Sequence, residues 1–400
     1  MSRLPLKVLL IGASVFQRDS SGVLTSKQAV VEYVHGLAGW FRETIWATTL
    51  YPHPAHTRTP VDLARVRLSV VRGDRGGLLS DYRSLRRRTS GETVLLLHLP
   101  NPWLTLSVLV CRLRARGLFV YVASDYVGYS AAAARTRGVI YARVYRFLYE
   151  MAIRSANGVI VRGAANEERA RRLNRNVIVS LPVALRTVSR PRDAPACAGP
   201  TIRVLYVGKL TPDKGVEVLV QAFKECIRQL SPRRDATLTF IGQGSAALRL
   251  REMSDGFDLG AAVSLRGFVD DLEELSASYA EADLVVVPAI SPEGVPRVID
   301  EALMHGTPVV ASAVGGIPAE FSGGEVALVP PGDAERLAAA MLRVVLDEPF
   351  RSELHAAANA RGRRLAAQPS AADQHAQFIA STLGVPVASG AVSGIAQAEA

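Results

Sequence analysis

The chain alternates short runs of β-branched and apolar residues with stretches of helical periodicity over most of its length. The runs are KVLLIG, TIWATT, RLSVV, TVLLLH, LFVYVAS and GVIVRG, and later RVLYVG, TLTFIG, VSLRGF, LVVVPA, PVVAS and VALVP. This alternation is typical of βαβ units, in which helices join parallel strands and cover the sheet. The pattern therefore predicts an α/β fold with two Rossmann-like, doubly wound parallel-sheet domains.

A polar, proline-containing stretch with little periodicity separates the two series of runs. The length of 400 residues also exceeds the roughly 250 to 300 that one core usually holds. We therefore predict an N-terminal domain over residues 1–185, a linker over 186–200 and a C-terminal domain over 201–370. A terminal helix over 371–383 is expected to return toward the N-terminal domain, and the Ala-, Gly- and Ser-rich residues 384–400 are expected to be disordered.

The net charge of +10 is distributed unevenly. Residues 1–200 contain 30 Lys and Arg against 12 Asp and Glu, whereas residues 201–400 contain 17 against 25. A basic half indicates an anionic partner such as phospholipid, nucleic acid or a phosphorylated acceptor, or else a solvated arginine-rich surface. Three dispersed cysteines indicate neither a disulfide framework nor a zinc site, and no run reaches the roughly 18 apolar residues of a spanning helix. These features predict a cytoplasmic protein that is not integral to a membrane.

Residues 207–223, VGKLTPDKGVEVLVQAF, combine the end of a strand, a tight turn and the start of a helix. Thr211 is expected to cap this helix and Pro212 to occupy its first position. Lys209 and Lys214, two of only five lysines, lie on the turn, where a helix N-terminus offers free N–H groups and the positive end of its dipole. The segment predicts a diphosphate-binding site, against the alternative of two ordinary surface lysines.

Two glutamates eight residues apart occur in SPEGVPRVIDEALMHGTPVVASAVGGIPAE, residues 291–320. Glu293 precedes a turn whose backbone amides would open a helix that carries Glu301. Because a helix rises about 1.5 Å per residue, the carboxylates would be roughly 12 Å apart, too far for an acid/base pair on one bond. The spacing suits two hydroxylated parts of one extended ligand.

Together these segments resemble glycosyltransferase family 4, the retaining group 1 enzymes of GT-B fold. The resemblance implies that the two Rossmann-like domains face a central cleft. The resemblance extends over residues 202–345 through IGQGS, RGFV, YAEADLVVVP and LVPPGDAERL. It implies transfer of a sugar from a nucleoside-diphosphate-sugar substrate to an acceptor hydroxyl, with retained anomeric configuration and no metal or other cofactor. The residues that carry the signature are Gly208, Lys209, Leu210, Lys214, Gly215, Glu293, Glu301, Pro308 to Val310, Gly315, Gly316 and Pro318.

The resemblance also implies roles for single residues. Lys209, Lys214 and Glu293 form the implied catalytic set: the lysines hold the diphosphate, and Glu293 accepts hydrogen bonds from sugar hydroxyls. Glu301 takes the ribose hydroxyls, and the strand end at Phe268 and Val269 borders the base. The implied donor-binding set is Gly22, Gly208, Lys209, Lys214, Gln243, Phe268, Val269, Glu293, Gly294, Val295, Pro296, Arg297 and Glu301.

The first half matches the family more loosely. HLPNPWLTL, residues 98–106, corresponds to the family's fourth strand, but the next strand ends in ASD, so that Ala123 stands where an active-site histidine is expected. Ser124, Asp125 and His98 are the candidates for the acceptor or sugar contact, although His98 also suits a core position.

Departure of a nucleoside diphosphate can be stabilised by the lysines and helix N-termini, which makes a protein nucleophile and a metal unnecessary. The expected product is a polysaccharide, glycolipid or other glycoconjugate. Two alternatives stay open: a GT-B synthase or phosphorylase that uses soluble acceptors, and a catalytically silent protein that binds a nucleotide sugar. No nucleic-acid-binding module is recognisable.

The segment SDYRSLRRRTSG, residues 80–91, concentrates basic and apolar residues on what reads as a short helix. Each arginine near an anionic leaflet contributes ~1 kcal/mol, so the segment predicts peripheral attachment at the inner face of a membrane and a lipid-linked acceptor, with a solvated arginine face as the alternative. A second basic stretch, residues 135–154, is expected to pack on the sheet with its arginines outward. The residues of the first segment are Tyr82, Arg83, Leu85, Arg86, Arg87 and Arg88.

Overall fold

The structure is a computed structural model that describes residues 3–12, 17–18, 24–50, 59–74, 76–99, 101–123, 138–182, 197–292 and 294–387. The chain divides into two compact units: the first comprises Met1–Ala184 and Pro369–Ala400, and the second comprises Leu185–Gln368. Most of the predicted tail, residues 388–400, lies outside the described residues.

The described strands follow one another as β1 (Leu4–Ile11), β2 (Gln17–Arg18), β3 (Leu24–Ser26), β4 (Phe41–Thr48), β5 (Thr59–Pro60), β6 (Arg67–Val70), β7 (Thr93–Leu99), β8 (Gly117–Val122), β9 (Gly158–Val161), β10 (Val177–Val179), β11 (Thr201–Val207), β12 (Asp235–Ile241), β13 (Val263–Gly267), β14 (Leu284–Val287), β15 (Val309–Ser312) and β16 (Ala327–Val329). The described helices are α1 (Gln28–Trp40), α2 (Leu78–Arg88), α3 (Pro102–Cys111), α4 (Val139–Ser155), α5 (Ala164–Arg171), α6 (Val216–Leu230), α7 (Ala247–Gly256), α8 (Leu272–Glu281), α9 (Arg297–Met304), α10 (Ile317–Glu320), α11 (Ala334–Leu346), α12 (Glu348–Ala366) and α13 (Ala371–Thr382). Two 3₁₀ turns span Arg112–Arg114 and Pro212–Lys214.

The first unit is built on a parallel sheet with the strand order β10-β9-β8-β7-β1-β4-β6. Each of the six runs predicted in this half forms one of its strands. The sequence carried no signal for β10 or for the small antiparallel sheet β2-β3-β5, because strands of two or three residues are too short to show periodicity.

The strands β7 and β8 are buried along their whole length. Helices cover both faces of this sheet, so its central strands read as continuous apolar runs rather than alternating ones. One face packs against α1 and α13, and the other against α2, α3, α4 and α5. Helix α13 therefore belongs to the first unit, where the ring of Phe378 packs so closely on Gly158 that a β-carbon there would lie 2.7 Å from it.

The basic segment of the first half forms α2, but its apolar residues do not accompany its arginines to the surface. Leu85 is fully buried in the core, and Tyr82 packs against the same core. The predicted short helix is present, and the positions of Leu85 and Tyr82 on α2 face the sheet. The second basic stretch forms α4 and behaves as predicted: Tyr149 is buried while Arg143 is exposed.

The second unit is built on a parallel sheet with the strand order β13-β12-β11-β14-β15-β16. From β11 the chain builds outward through β12 and β13, and it then returns to the other side of β11 with β14, β15 and β16. The order of strands thus reverses between β11 and β14. Such a switch point, at the carboxyl ends of the strands, is where open α/β sheets bind ligands.

Both sheets confirm the predicted α/β class with two doubly wound parallel sheets. Among the described helices, none combines the length and the apolarity that crossing a bilayer requires.

Candidate functional site

The loop after β11 carries the two lysines of the predicted diphosphate site. Pro212 begins a 3₁₀ turn that ends at Lys214, and α6 begins only at Val216. Gly215, in the left-handed region at φ +68°, caps α6. The prediction that Thr211 caps this helix is therefore wrong: Thr211 precedes the 3₁₀ turn, and its side chain makes no capping hydrogen bond.

The turn is fixed against the loop that follows β14. A β-carbon at position 215 would lie 1.9 Å from the carbonyl oxygen of Pro288, so only glycine fits there. The carbonyl of Asp213 accepts a hydrogen bond of 2.9 Å from the amide of Ile290. The loop after β11 and the loop after β14, which border the switch point, are thus held together. The family resemblance implies that the first loop binds the diphosphate and the second binds the sugar.

Lys209 lies on the same turn. Its side chain is exposed, and its backbone is held by a hydrogen bond from the preceding strand. The Tyr206 hydroxyl donates to the Lys209 carbonyl at 2.7 Å. The next loop, after β12, packs on this one so closely that a β-carbon on Gly242 would lie 1.8 Å from the Gly208 carbonyl oxygen. The Leu210 amide donates to the Gln243 carbonyl at 2.9 Å, which brings exposed Gln243 to the edge that carries Lys209.

Glu301 is buried on α9, which begins at Arg297 immediately after Pro296. One carboxylate oxygen accepts a hydrogen bond of 2.7 Å from the Tyr279 hydroxyl, and the other lies 3.2 Å from Nε of Arg297. Burial first, and then the charge of Glu301, raise the pKa of Tyr279 well above its usual value. A carboxylate oxygen has two lone pairs, so Glu301 keeps acceptor capacity for ligand hydroxyls while its orientation is fixed.

A partly buried ion-pair network joins α9 to α10. Arg361 of α12 lies 3.2 Å from Asp300, next to Glu301, and 2.7 Å from Glu320. The glycine loop that precedes α10 packs on the loop before α9, since a β-carbon on Gly316 would lie 3.3 Å from the Gly294 carbonyl carbon. Arg361 is far from these segments in sequence, and the sequence carried no signal for its role or for that of Tyr279.

Other predicted residues lie at the same carboxyl edge of the second sheet. Phe268 follows β13 and is exposed, whereas Val269 packs against the core beneath. Val295 is buried, while Gly294 and Pro296 are half-buried in the loop after β14. Gly22, Ser124, Asp125 and Glu293 lie outside the described residues.

His98 lies in the core of the first unit. Its Nε2 is 3.4 Å from the Tyr33 hydroxyl, which is in turn 2.8 Å from Nδ1 of His375 on α13. Burial lowers the pKa of His98 to about 3, so its imidazole is neutral at ordinary pH. These contacts favour the core interpretation of His98 over a sugar contact.

Within the described residues, no group of three or more His, Cys, Asp and Glu side chains is arranged to hold a metal ion. The three cysteines Cys111, Cys197 and Cys226 are all buried, and burial raises the pKa of Cys226 to about 12.

Residues 201–347, which include the lysine turn, Glu301 and the glycine loop, match the family described as Glycosyl transferases group 1. The match extends over little more than a third of the chain. One relative is a D-inositol 3-phosphate glycosyltransferase of Corynebacterium efficiens, 36% identical over 149 residues, or 36% of this chain and 34% of the relative. Another is the amylovoran biosynthesis glycosyltransferase AmsK of Erwinia amylovora, 35% identical over 150 residues, or 36% of each. The chain thus spans about a third of the length of these curated relatives.

Solved structures resemble nearly the whole length of the chain. HepE of Anabaena, in a complex with UDP-glucose, has a TM-score of 0.67 at 18% identity, with 95% of this chain and 99% of that chain covered. WaaG, a glycosyltransferase involved in lipopolysaccharide biosynthesis, has a TM-score of 0.61 at 16% identity, with 94% and 99% covered. At these identities the likeness concerns the fold, which is the GT-B fold predicted from the sequence.

Proposed function

We propose that this chain transfers a sugar from a nucleoside-diphosphate-sugar to an acceptor hydroxyl with retention of anomeric configuration, in the synthesis of a polysaccharide, glycolipid or other glycoconjugate. One observation carries this proposal. Lys209 and Lys214 occupy a turn at the topological switch point of the second sheet, fixed to the loop after β14 and leading into α6.

The chemistry requires stabilisation of a leaving group. When the bond between the anomeric carbon and the diphosphate oxygen breaks, negative charge grows on the diphosphate. Preorganised charge aimed at that position is usually the largest catalytic contribution. The two ammonium groups and the N-terminus of α6 supply it without a metal. The acceptor oxygen forms the new bond on the same face, its proton leaves with the diphosphate, and no covalent enzyme intermediate is needed.

Glu301 supports the nucleotide half of the proposal. Tyr279 and Arg297 orient its carboxylate on α9, beside the same switch point, where it can accept hydrogen bonds from ribose hydroxyls. HepE, which shares the fold, binds UDP-glucose. The relatives named for D-inositol 3-phosphate and for amylovoran biosynthesis support an acceptor with hydroxyl groups.

The first unit is assigned to the acceptor. Its excess of arginine favours a phosphorylated or lipid-linked acceptor, and we propose that the protein acts in the cytoplasm at an anionic membrane surface.

A binding experiment tests the donor site separately from catalysis. Thermal unfolding would be followed with UDP-, GDP- and ADP-sugars, because a ligand at 100 times its Kd stabilises the folded state by ~2.7 kcal/mol. We expect one of the three nucleotides to raise the melting temperature of the wild type and of Lys224→Ala, but not of the Lys209→Ala/Lys214→Ala variant. If the ligand raises the melting temperature of the double variant by the same amount, the two lysines do not belong to the donor site.

A second measurement addresses the reaction. With an α-linked donor, the coupling of the anomeric proton in the product should report an α-linkage. A β-linked product would contradict retention, and donor binding without turnover on any hydroxylated acceptor would favour the silent sugar-nucleotide-binding alternative.

A further inference from the structure

Three helices form one layer on the first sheet. Leu85 of α2, Val108 of α3 and Tyr149 of α4 are all buried in the same core cluster. α2 packs against α3, and α3 packs against α4. The side of this layer that faces away from the sheet is called here the outer face.

The outer face carries almost exclusively positive charge. Residues 78–88, 102–116 and 139–155 contain ten arginines and only two acidic residues. Asp81 is buried and accepts hydrogen bonds from the amides of Arg72 and Gly73, both at 2.8 Å. Glu150 is paired with Arg146 and Arg154. The remaining arginines therefore lack a local counter-charge among the described residues.

Four of these arginines converge on one pocket. It has a volume of about 460 Å³, and its lining residues are Arg83, Arg86, Arg87, Thr89 and Arg114. Burial raises the pKa of the Cys111 thiol to about 11, and Arg86 and Arg114 both counteract that rise, which shows that guanidinium groups from two elements lie near the same side chain.

The arginines of the pocket differ from other arginines of the first unit. None of the four makes an ion pair with a described carboxylate, whereas Arg67 lies 2.8 Å from Glu43 and Arg171 lies 2.8 Å from Glu167. Arg88, which was predicted to act with them, donates instead to the carbonyl and hydroxyl of Ser84. Converging guanidinium groups repel one another unless an anion lies between them, and their planar forks match phosphate oxygens.

Large apolar side chains share the outer face with the arginines. Leu113, next to Arg114, is 84% exposed. Ile140, Val144 and Phe147 form an exposed stripe along α4, with Ile140 at 80% and Phe147 at 59% exposure. Soluble proteins rarely place such side chains together in water without a partner.

We propose that the outer face docks on an anionic lipid leaflet, with phosphate headgroups in the arginine pocket and with Leu113, Ile140 and Phe147 entering the boundary between headgroups and acyl chains. Charge alone would suit any polyanion, but the apolar stripe specifies an amphiphilic surface. The inference rests on the proposed function for its purpose, the presentation of a lipid-linked acceptor, whereas docking itself is measurable without sugar transfer.

The topology gives this docking a direction. The pocket lies where α2 and the turn Arg112–Arg114 lead into β7 and β8, at the amino edge of the sheet. Helix α4 follows β8 and begins at Val139, next to Ile140, at the opposite, carboxyl edge, about 20 Å away along strands that rise ~3.3 Å per residue. A leaflet that contacts both ends of the outer face would lie beside the carboxyl edge, where a ligand of this sheet is expected.

Co-sedimentation of the full chain with vesicles tests the proposal. Phosphatidylcholine vesicles would be compared with vesicles that also contain phosphatidylglycerol, at low and high salt. We expect binding only to the anionic vesicles, weakened by salt. The variant Arg83→Ser/Arg86→Ser/Arg87→Ser/Arg114→Ser should bind these vesicles about tenfold or more weakly at low salt. All four positions are exposed, and circular dichroism would verify folding.

A matched control removes the same charge elsewhere. Arg42, Arg67, Arg171 and Arg172 are exposed arginines of the first unit that pair with carboxylates. Their fourfold substitution by serine should leave vesicle binding within about twofold, because paired arginines contribute little to attraction at a distance. Equal loss in both variants would overturn the pocket as a site, and wild-type binding by the pocket variant would overturn the proposal.

Two further arms separate lipid from soluble phosphate. Ile140→Ser/Phe147→Ser should weaken vesicle binding at high salt as well as at low salt, because apolar insertion is not screened. Titration calorimetry with inorganic pyrophosphate would measure the pocket without lipid. If pyrophosphate binds while vesicles of either composition do not, the ligand is a soluble phosphate compound and docking is excluded.

Discussion

Each of the two units contains its own parallel sheet covered by helices on both faces, yet the two units place charged side chains differently. In the first unit, arginines crowd the outer face of a helix layer and four of them lack carboxylate partners among the described residues. In the second unit, Arg361 is only 14% exposed and lies against Asp300 and Glu320. Unpaired surface charge attracts a partner from a distance, whereas buried paired charge fixes the relative position of helices. One architecture thus supports both an attracting surface and an organised site.

The units also differ in how polar groups enter their cores. The first unit buries a chain of hydroxyl and imidazole groups, in which the Ser180 hydroxyl lies 2.9 Å from Nε2 of His375 and the Tyr33 hydroxyl lies 2.8 Å from Nδ1 of the same ring. These hydrogen-bonded groups connect α13 to α1 and to the segment after β10. The second unit buries the Glu301 carboxylate against Tyr279 beneath its candidate site. The buried polar network of the first unit joins elements of the fold, and that of the second orients a group for a ligand.

Removal of Arg361 should have the largest effect on stability. The Arg361→Ala variant removes the guanidinium that pairs with the buried carboxylate of Asp300 and with the half-buried carboxylate of Glu320, which is expected to cost about 3–5 kcal/mol. Arg171→Ala, in an exposed pair of the first unit, should cost less than about 1 kcal/mol. Urea denaturation of both variants measures the difference. Equal costs would show that burial of the ion pairs does not distinguish the units.

Loss of the lysine pair should affect turnover rather than stability. The Lys209→Ala/Lys214→Ala variant is expected to reduce kcat by about 100- to 1,000-fold, because charge at the leaving group is lost while the core is untouched. Lys224→Ala, on the same unit, serves as the control for net charge. Initial-rate kinetics and a melting curve check the prediction, and a double variant with wild-type turnover would contradict the leaving-group role.

Acid should destabilise the first unit through its buried histidines. The pKa of His98 is lowered to about 3 by burial, and that of His375 is lowered well below its usual value, also by burial first. Because the unfolded chain binds protons near pH 6.5 and the folded unit does not, stability is full above pH 6.5 and falls as pH decreases toward 3. The contribution of His98 alone should lower the free energy of unfolding by ~2 kcal/mol between pH 7 and pH 5.

Urea midpoints at the two pH values would measure this loss. A His98→Gln variant should show a smaller difference between pH 7 and pH 5 than the wild type, and His35→Gln should reduce the difference less, because burial lowers the pKa of the half-buried His35 less strongly than that of His98. An unchanged slope in the His98 variant would exclude this residue as the source.

Chelation should have the smallest effect. Because the chain contains no Asp-X-Asp motif and the proposed mechanism uses lysines, EDTA is expected to leave the rate of sugar transfer unchanged. A loss of activity that Mg²⁺ or Mn²⁺ restores would replace the metal-free mechanism for the second unit.

The sequence by itself determined much of this protein. Twelve apolar runs with helical patterns between them specified two parallel sheets, because parallel strands buried on both faces must be continuously apolar. The turn around Lys209 and Lys214 was equally legible, since glycine, proline and lysine at fixed offsets have few structural uses. The pattern around Glu301 added the family, which residues 201–347 bear out.

The tertiary structure decided what depends on contacts between distant residues. The sequence predicted Thr211 as the helix cap, whereas the structure has Gly215 in that position. The Pro288 carbonyl lies so close to residue 215 that only glycine fits there. Tyr279 and Arg361 became visible through their contacts with Glu301 and Asp300, and Arg114 joined the arginines of α2 across a helix that separates them in sequence. Local sequence patterns indicate which face of a helix or strand is apolar. Which distant residue a side chain contacts depends on the order of the strands in the sheet, because that order decides which elements become neighbours.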